Sequence, residues 1–129
     1  MLGLGGNEMI EKYKFQYLTV YQLALDYIDQ IYSAIAELPD SERFNLSSQI
    51  RRAASSIALN IAEGSTSQSD PEQNRFLGLA LRSFLETIAC LDLIDRRSYF
   101  DEQQINQLRK VGHQLFMKLV AFRKSIKTK

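Results

Sequence analysis

Few residues in this chain could do chemistry, and their spacing is poor for it. His113 is the only histidine and Cys90 the only cysteine in 129 residues. A di-iron bundle needs Glu-x-x-His pairs on facing helices, but the residue three before His113 is Lys110. Zinc needs clustered cysteine and histidine ligands. A nucleophile–base–acid set is not expected here without a second histidine or a Lys in an apolar slot. No glycine-rich phosphate loop lies between a strand and a helix. The expectation is therefore no catalytic residue, no metal site and no cofactor. Cys90 lies in an apolar run and reads as a small core residue in a reducing compartment.

Two further constellations could carry function. Arg109 and His113 invite comparison with the Arg-x4–6-His element of helical ribonucleases, but the spacing here is one residue too short. Asn60 and Glu63, one turn apart, together with Ser83 and Glu86 could form a polar cluster. The expected role of that cluster is structural, a hydrogen-bonded network that fixes helix register.

Charge gives a stronger pattern than acid–base chemistry does. The formal net charge is only +1, so the total exerts no bulk pull on nucleic acid or lipid. The distribution is uneven. From Phe15 to Glu42 there are five acidic residues and no Lys or Arg; from Gln103 to Lys129 there are seven Lys or Arg and no acid. In a four-helix bundle these two helices are neighbours, so part of the sorting is complementarity between packed helices. The last helix, with Lys118, Arg123, Lys124 and Lys127, also makes one pole of the bundle basic. Arg51 and Arg52, adjacent in a Ser/Ala-rich helix, form a second patch, with Glu86 or Asp92 as the alternative ion-pair partners. These six cations are the candidate contacts to RNA or DNA phosphates.

The elements that position them follow from helical periodicity and punctuation. A first helix is expected from Thr19 to Leu38, with Val20, Leu23, Ala24, Tyr27, Ile28, Ile31, Ile35 and Leu38 on one face and Pro39 as its stop. A second spans Asn45 to Glu63, with Asn45 as its cap and Gly64 as a left-handed residue past its end. Its small residues Ser55, Ser56 and Ala58 predict close approach to a neighbour. Asp70-Pro71-Glu72-Gln73 opens a third helix running to about Arg97, with Asp70 as cap. Asp101-Glu102-Gln103-Gln104 opens the fourth. Connections this short make consecutive helices antiparallel. The expected fold is all-α, an up-down-up-down antiparallel four-helix bundle over residues 17–126. It is preceded by a glycine-bearing lead at 1–16 and followed by a basic tail at 127–129. No apolar run approaches the ~18 residues of a membrane span, and the cytoplasm is the expected compartment.

The bundle carries more apolar surface than it can hide. On the third helix Phe76, Leu77, Ala80, Leu81, Phe84, Leu85, Ile88 and Leu91 span ~180°, against the ~100° stripe that a core-facing helix needs. Leu79 and Leu93 fall outside even that arc. Phe116 and Val120 broaden the fourth helix, and Tyr21, Leu25 and Tyr32 the first. A second copy of the chain is the expected cover.

The stretch Gln49-Ile50-Arg51-Arg52-Ala53-Ala54-Ser55-Ser56-Ile57-Ala58-Leu59-Asn60-Ile61-Ala62-Glu63-Gly64 resembles the signature of four-helix-bundle proteins encoded in intervening sequences of bacterial 23S rRNA genes. Arg75-Phe76-Leu77, then Ala80, Ser83, Leu85 and Glu86, is similar too, as are Val20-Tyr21-Gln22-Leu23-Ala24 and Leu38-Pro39. Arg82 departs from the family's usual glycine. The resemblance implies a homopentameric ring and kinship with the nucleic-acid-binding accessory protein of diversity-generating retroelements. It implies no established activity. The functional expectation is a non-enzymatic oligomer that associates with nucleic acid. The alternative is a protein–protein interaction scaffold with no nucleic-acid role.

Overall fold

The computed structural model of the chain describes residues 10–66 and 69–126. Four helices organise them: α1 (Thr19–Ile35), α2 (Leu46–Ser65), α3 (Asp70–Arg96) and α4 (Glu102–Ser125). Short 3-10 turns precede α1 (Lys14–Tyr17) and α2 (Asp40–Glu42). The four α-helices form the up-down-up-down bundle. Each packs against its two neighbours, and the backbones of the diagonal pairs stay apart.

Helix ends show how local chemistry sets these bounds. At α4 the Asp101 carboxylate accepts from the Gln104 N–H at 2.8 Å, while the Asp101 N–H donates to Gln104 Oε1 at 3.1 Å. This reciprocal capping box satisfies two otherwise unpaired donors. At α3 the cap is Ser69, whose hydroxyl accepts from the Glu72 N–H. Asp70 and Pro71 therefore stand inside the helix, one residue later than the sequence suggests. Asn45 occupies the cap position of α2 without a side-chain capping bond, and its amide donates to Glu42 Oε1 at 3.0 Å. The chain leaves α3 through Ser98, whose φ of 58° is the only positive φ among the described non-glycine residues.

The core runs the length of the bundle. Ala24, Tyr27, Ile31, Ile50, Ala54, Ile57, Leu77, Ala80, Leu91, Ile94, Leu115 and Leu119 are essentially sealed from solvent. Periodicity alone finds most of them. It misses Thr87, a buried polar residue that serves the core directly. The Thr87 hydroxyl donates to the Phe84 carbonyl at 2.6 Å and shares a 2.8 Å hydrogen bond with the Tyr27 hydroxyl. Thr87 has one proton to give, so Tyr27 is the donor in the second bond. This bond joins the diagonal helices α1 and α3. Burial pushes the Tyr27 pKa up to about 12.

Two glycines serve close approach. Gly112 on α4 admits the Tyr27 ring, which a Cβ at that position would meet at 2.9 Å. Gly64, expected as a left-handed residue beyond α2, instead lies buried within its last turn, and no glycine has a positive φ among the described residues. Its lack of a side chain is needed because a Cβ would stand 2.9 Å from Phe76 Cβ on α3.

Candidate nucleic-acid interface

The six cations selected from sequence do not converge on one surface of the protomer. Arg51 and Arg52 are exposed on the second turn of α2, near the pole formed by the end of α1 and the start of α4. Lys118 and Lys124 are exposed at the opposite pole, where α4 ends. Arg123 is partly buried and committed inward. Its Nε and Nη2 donate to Asn74 Oδ1 at 3.3 and 3.1 Å, and its guanidinium packs on Gly78 of α3. Lys127 lies outside the described residues.

Neither carboxylate proposed for the Arg51–Arg52 pair engages them. Asp92 pairs with Arg109 of α4 at 2.8 Å, the only ion pair among the described residues. Asp92 is well exposed and Arg109 about one-third exposed, so solvent screens the pair and it contributes little stability. Glu86 makes no ion pair within the same set. The Arg51 guanidinium lies 5.7 Å from the Tyr32 ring centroid, and the Tyr32 hydroxyl shares a 3.0 Å hydrogen bond with Ser55. The charge sorting between α1 and α4 produces no ion pair between those helices. Just past the end of α1, Glu37 Oε1 accepts from Gln104 Nε2 of α4 at 3.0 Å.

The polar cluster exists in a different composition. Ser56 is its hub. Asn60 Nδ2 donates to the Ser56 carbonyl at 2.9 Å and to its hydroxyl at 3.0 Å, and the Ser83 hydroxyl donates to Ser56 Oγ at 2.9 Å. Glu63 and Glu86 are exposed and outside it. Hydroxyls from α2 and α3 can meet directly only because small residues let the backbones close in. The hydrogen bond between Ser83 and Ser56 joins α3 to α2.

The α3–α4 side is open. Phe84, Leu85, Ile88, Arg109, His113 and Phe116 line a groove of about 400 Å³. The Phe84 and Phe116 rings meet at 5.4 Å, and His113 stacks on Phe116 at 6.3 Å. Leu85 is more than half exposed there. On the α1–α2 side, opposite in the bundle, Tyr32 and Leu59 are exposed at 41% and 67%. His113 makes no hydrogen bond to an acid or a nucleophile among the described residues. No group of three metal-liganding side chains occurs among those residues either. No described helix is long and apolar enough to cross a membrane.

Sequence reasoning missed the exposed aromatics Tyr13, Tyr17 and Phe44. Phe44, between the 3-10 turn and α2, is 87% exposed with the Arg43 guanidinium 5.3 Å from its ring centroid. Beside it Glu42 accepts from the Tyr99 hydroxyl at 2.7 Å. That bond, then the Asn45 amide, holds the Glu42 carboxyl below its ordinary pKa, and the same contact raises that of Tyr99.

Residues 16–121 match the family model described as 23S rRNA-intervening sequence protein. Among solved structures the chain is similar to a protein of unknown function from the S23 ribosomal protein family of Bacteroides thetaiotaomicron VPI-5482. The two are 26% identical with a TM-score of 0.73, over 85% of this chain and 100% of that one. No curated protein matches the chain.

Proposed function

This chain belongs to the 23S rRNA-intervening sequence protein family, and from that premise we propose that it is a non-enzymatic bundle that self-associates and binds nucleic acid through exposed cations. The observation that carries the binding is the unpartnered state of those cations. Arg51, Arg52, Lys118 and Lys124 are exposed and form no ion pair among the described residues. Cations so placed can neutralise phosphates and release counterions without first breaking an internal bond. Repetition in an oligomer, a homopentameric ring by the family resemblance, would multiply a modest charge per chain. Self-association is supported by the apolar surface on opposite sides of the bundle, since two different faces suit head-to-tail contact. RNA and DNA both present the required phosphates.

Filter binding of RNA and of DNA over rising salt tests the reading. Retention at low salt should fall linearly in log–log form. Lys118→Glu with Lys124→Glu should weaken binding at all sequences and lower the slope by about one per lost phosphate contact. Absence of retention at low salt overturns nucleic-acid binding, and a monomer mass by light scattering overturns self-association. The open α3–α4 groove favours a second reading, a protein-interaction scaffold, which survives if nucleic acid fails to bind.

A further inference from the structure

Resting on that nucleic-acid reading, we propose that the surface formed by Arg43, Phe44, Tyr32, Arg51 and Arg52 is a stacking platform for unpaired bases, making the ligand a single strand of RNA or DNA. A phenyl ring 87% exposed is costly to leave in water, because burying a Phe side chain is favourable by about 1.5–3 kcal/mol. Phe44 lies outside every helix stripe and contributes nothing to the core. The Arg43 guanidinium covers the ring at 5.3 Å, and the exposure leaves the rest of the ring open to a partner. A base fits this arrangement. It would stack on the ring beside a cation, the combination that single-strand binders use without sequence preference.

The neighbouring side chains extend the platform. Within α2, Arg51 lies over Tyr32 at 5.7 Å, and the exposed Arg52 follows. Tyr32 is held through its hydroxyl by Ser55, so its ring is already oriented. Charge alone would not select this surface. Asp29, Asp40 and Glu42 lie on the adjoining segments, and only Glu42 is engaged, by Tyr99 and Asn45. With carboxylates this close, the arginines can meet phosphate but do not by themselves favour a duplex over a single strand. Exposed rings do provide a reason to prefer unpaired bases, whose faces a duplex hides.

Fluorescence anisotropy on the full chain, with a labelled 20-nucleotide strand and the same sequence as a duplex, in RNA and DNA arms, tests this. The single strand should bind roughly tenfold tighter than the duplex, and Phe44→Ala should remove most of that preference, since a stacked base contributes 1–3 kcal/mol, a factor of about 5–150. Phe44→Trp should restore it. Lys118→Ala at the other pole should weaken both forms equally. Equal binding of duplex and strand, or wild-type strand affinity in Phe44→Ala, overturns the platform while leaving phosphate binding intact. A lower oligomer mass in Phe44→Ala with unchanged strand affinity reassigns the ring to contact between copies and also overturns it. Failure of every nucleic acid to bind at low salt removes the parent reading itself. Because Phe44 is outside the core, loss of folding does not confuse these outcomes.

Discussion

Helix α3 has two unlike neighbours. Toward α2 it is closely fitted: Ser83 reaches the Ser56 hydroxyl, and Phe76 lies where a Gly64 side chain would be. Toward α4 it is looser, with a groove lined by Phe84, Leu85, Ile88 and Phe116. Both seams contain a glycine at a close contact, but the contacts differ. Gly64 faces the Cβ of Phe76, which moves only with its backbone. Gly78 faces the tip of the Arg123 side chain. Small residues thus fix one seam for register, while large ones leave the other with surface still to cover.

The largest test of that contrast is to add one methyl group to each side. Gly64→Ala should destabilise the fold by about 1–3 kcal/mol in urea denaturation, because overpacking displaces backbone. Gly78→Ala should lie within about 0.5 kcal/mol of wild type, as the guanidinium shifts and helix propensity compensates. Equal losses would break the contrast. Next in size is Thr87→Val. It leaves the Tyr27 hydroxyl a buried donor without an acceptor and should cost about 1–3 kcal/mol; a smaller loss in a Tyr27→Phe background would confirm the shared bond by a double-mutant cycle. The smallest effect concerns the pole rather than the seams. Glu42 has a lowered pKa in the fold, so its contribution is full at neutral pH and is lost as pH falls below the ordinary carboxylate range. Glu42→Gln should flatten that acid limb slightly in thermal melts between neutral pH and pH 3, and an unchanged limb would show the Tyr99 bond to be inconsequential.

The sequence disclosed what depends on spacing along one helix. The stripe of α2, from Leu46 to Ile61, is buried throughout, and the Asp101–Gln104 box needs only residues three apart. What depends on two helices at once was not legible. Glu63 and Ser56 both sit near Asn60 in sequence, but only the register of α3 shows that Ser83 meets Ser56. Gly64 could be read as a turn residue or as a contact residue, and composition does not distinguish them. Asp70 reads as a good cap from sequence, but Ser69 holds that position, so α3 starts one residue earlier than expected. Phe44 falls between elements, where no periodicity predicts its exposure. The nucleic-acid candidates suffered most, since charge says nothing about which cation folds inward, as Arg123 does.

Cys90, sealed in the core at 3% exposure, has a thiol whose pKa burial pushes up. Both effects suppress the thiolate that alkylating reagents attack. The single thiol is therefore a built-in clock for breathing of the bundle. Its modification rate follows how often the helices part far enough to admit a reagent, with no probe to be introduced and no second thiol to confuse the signal.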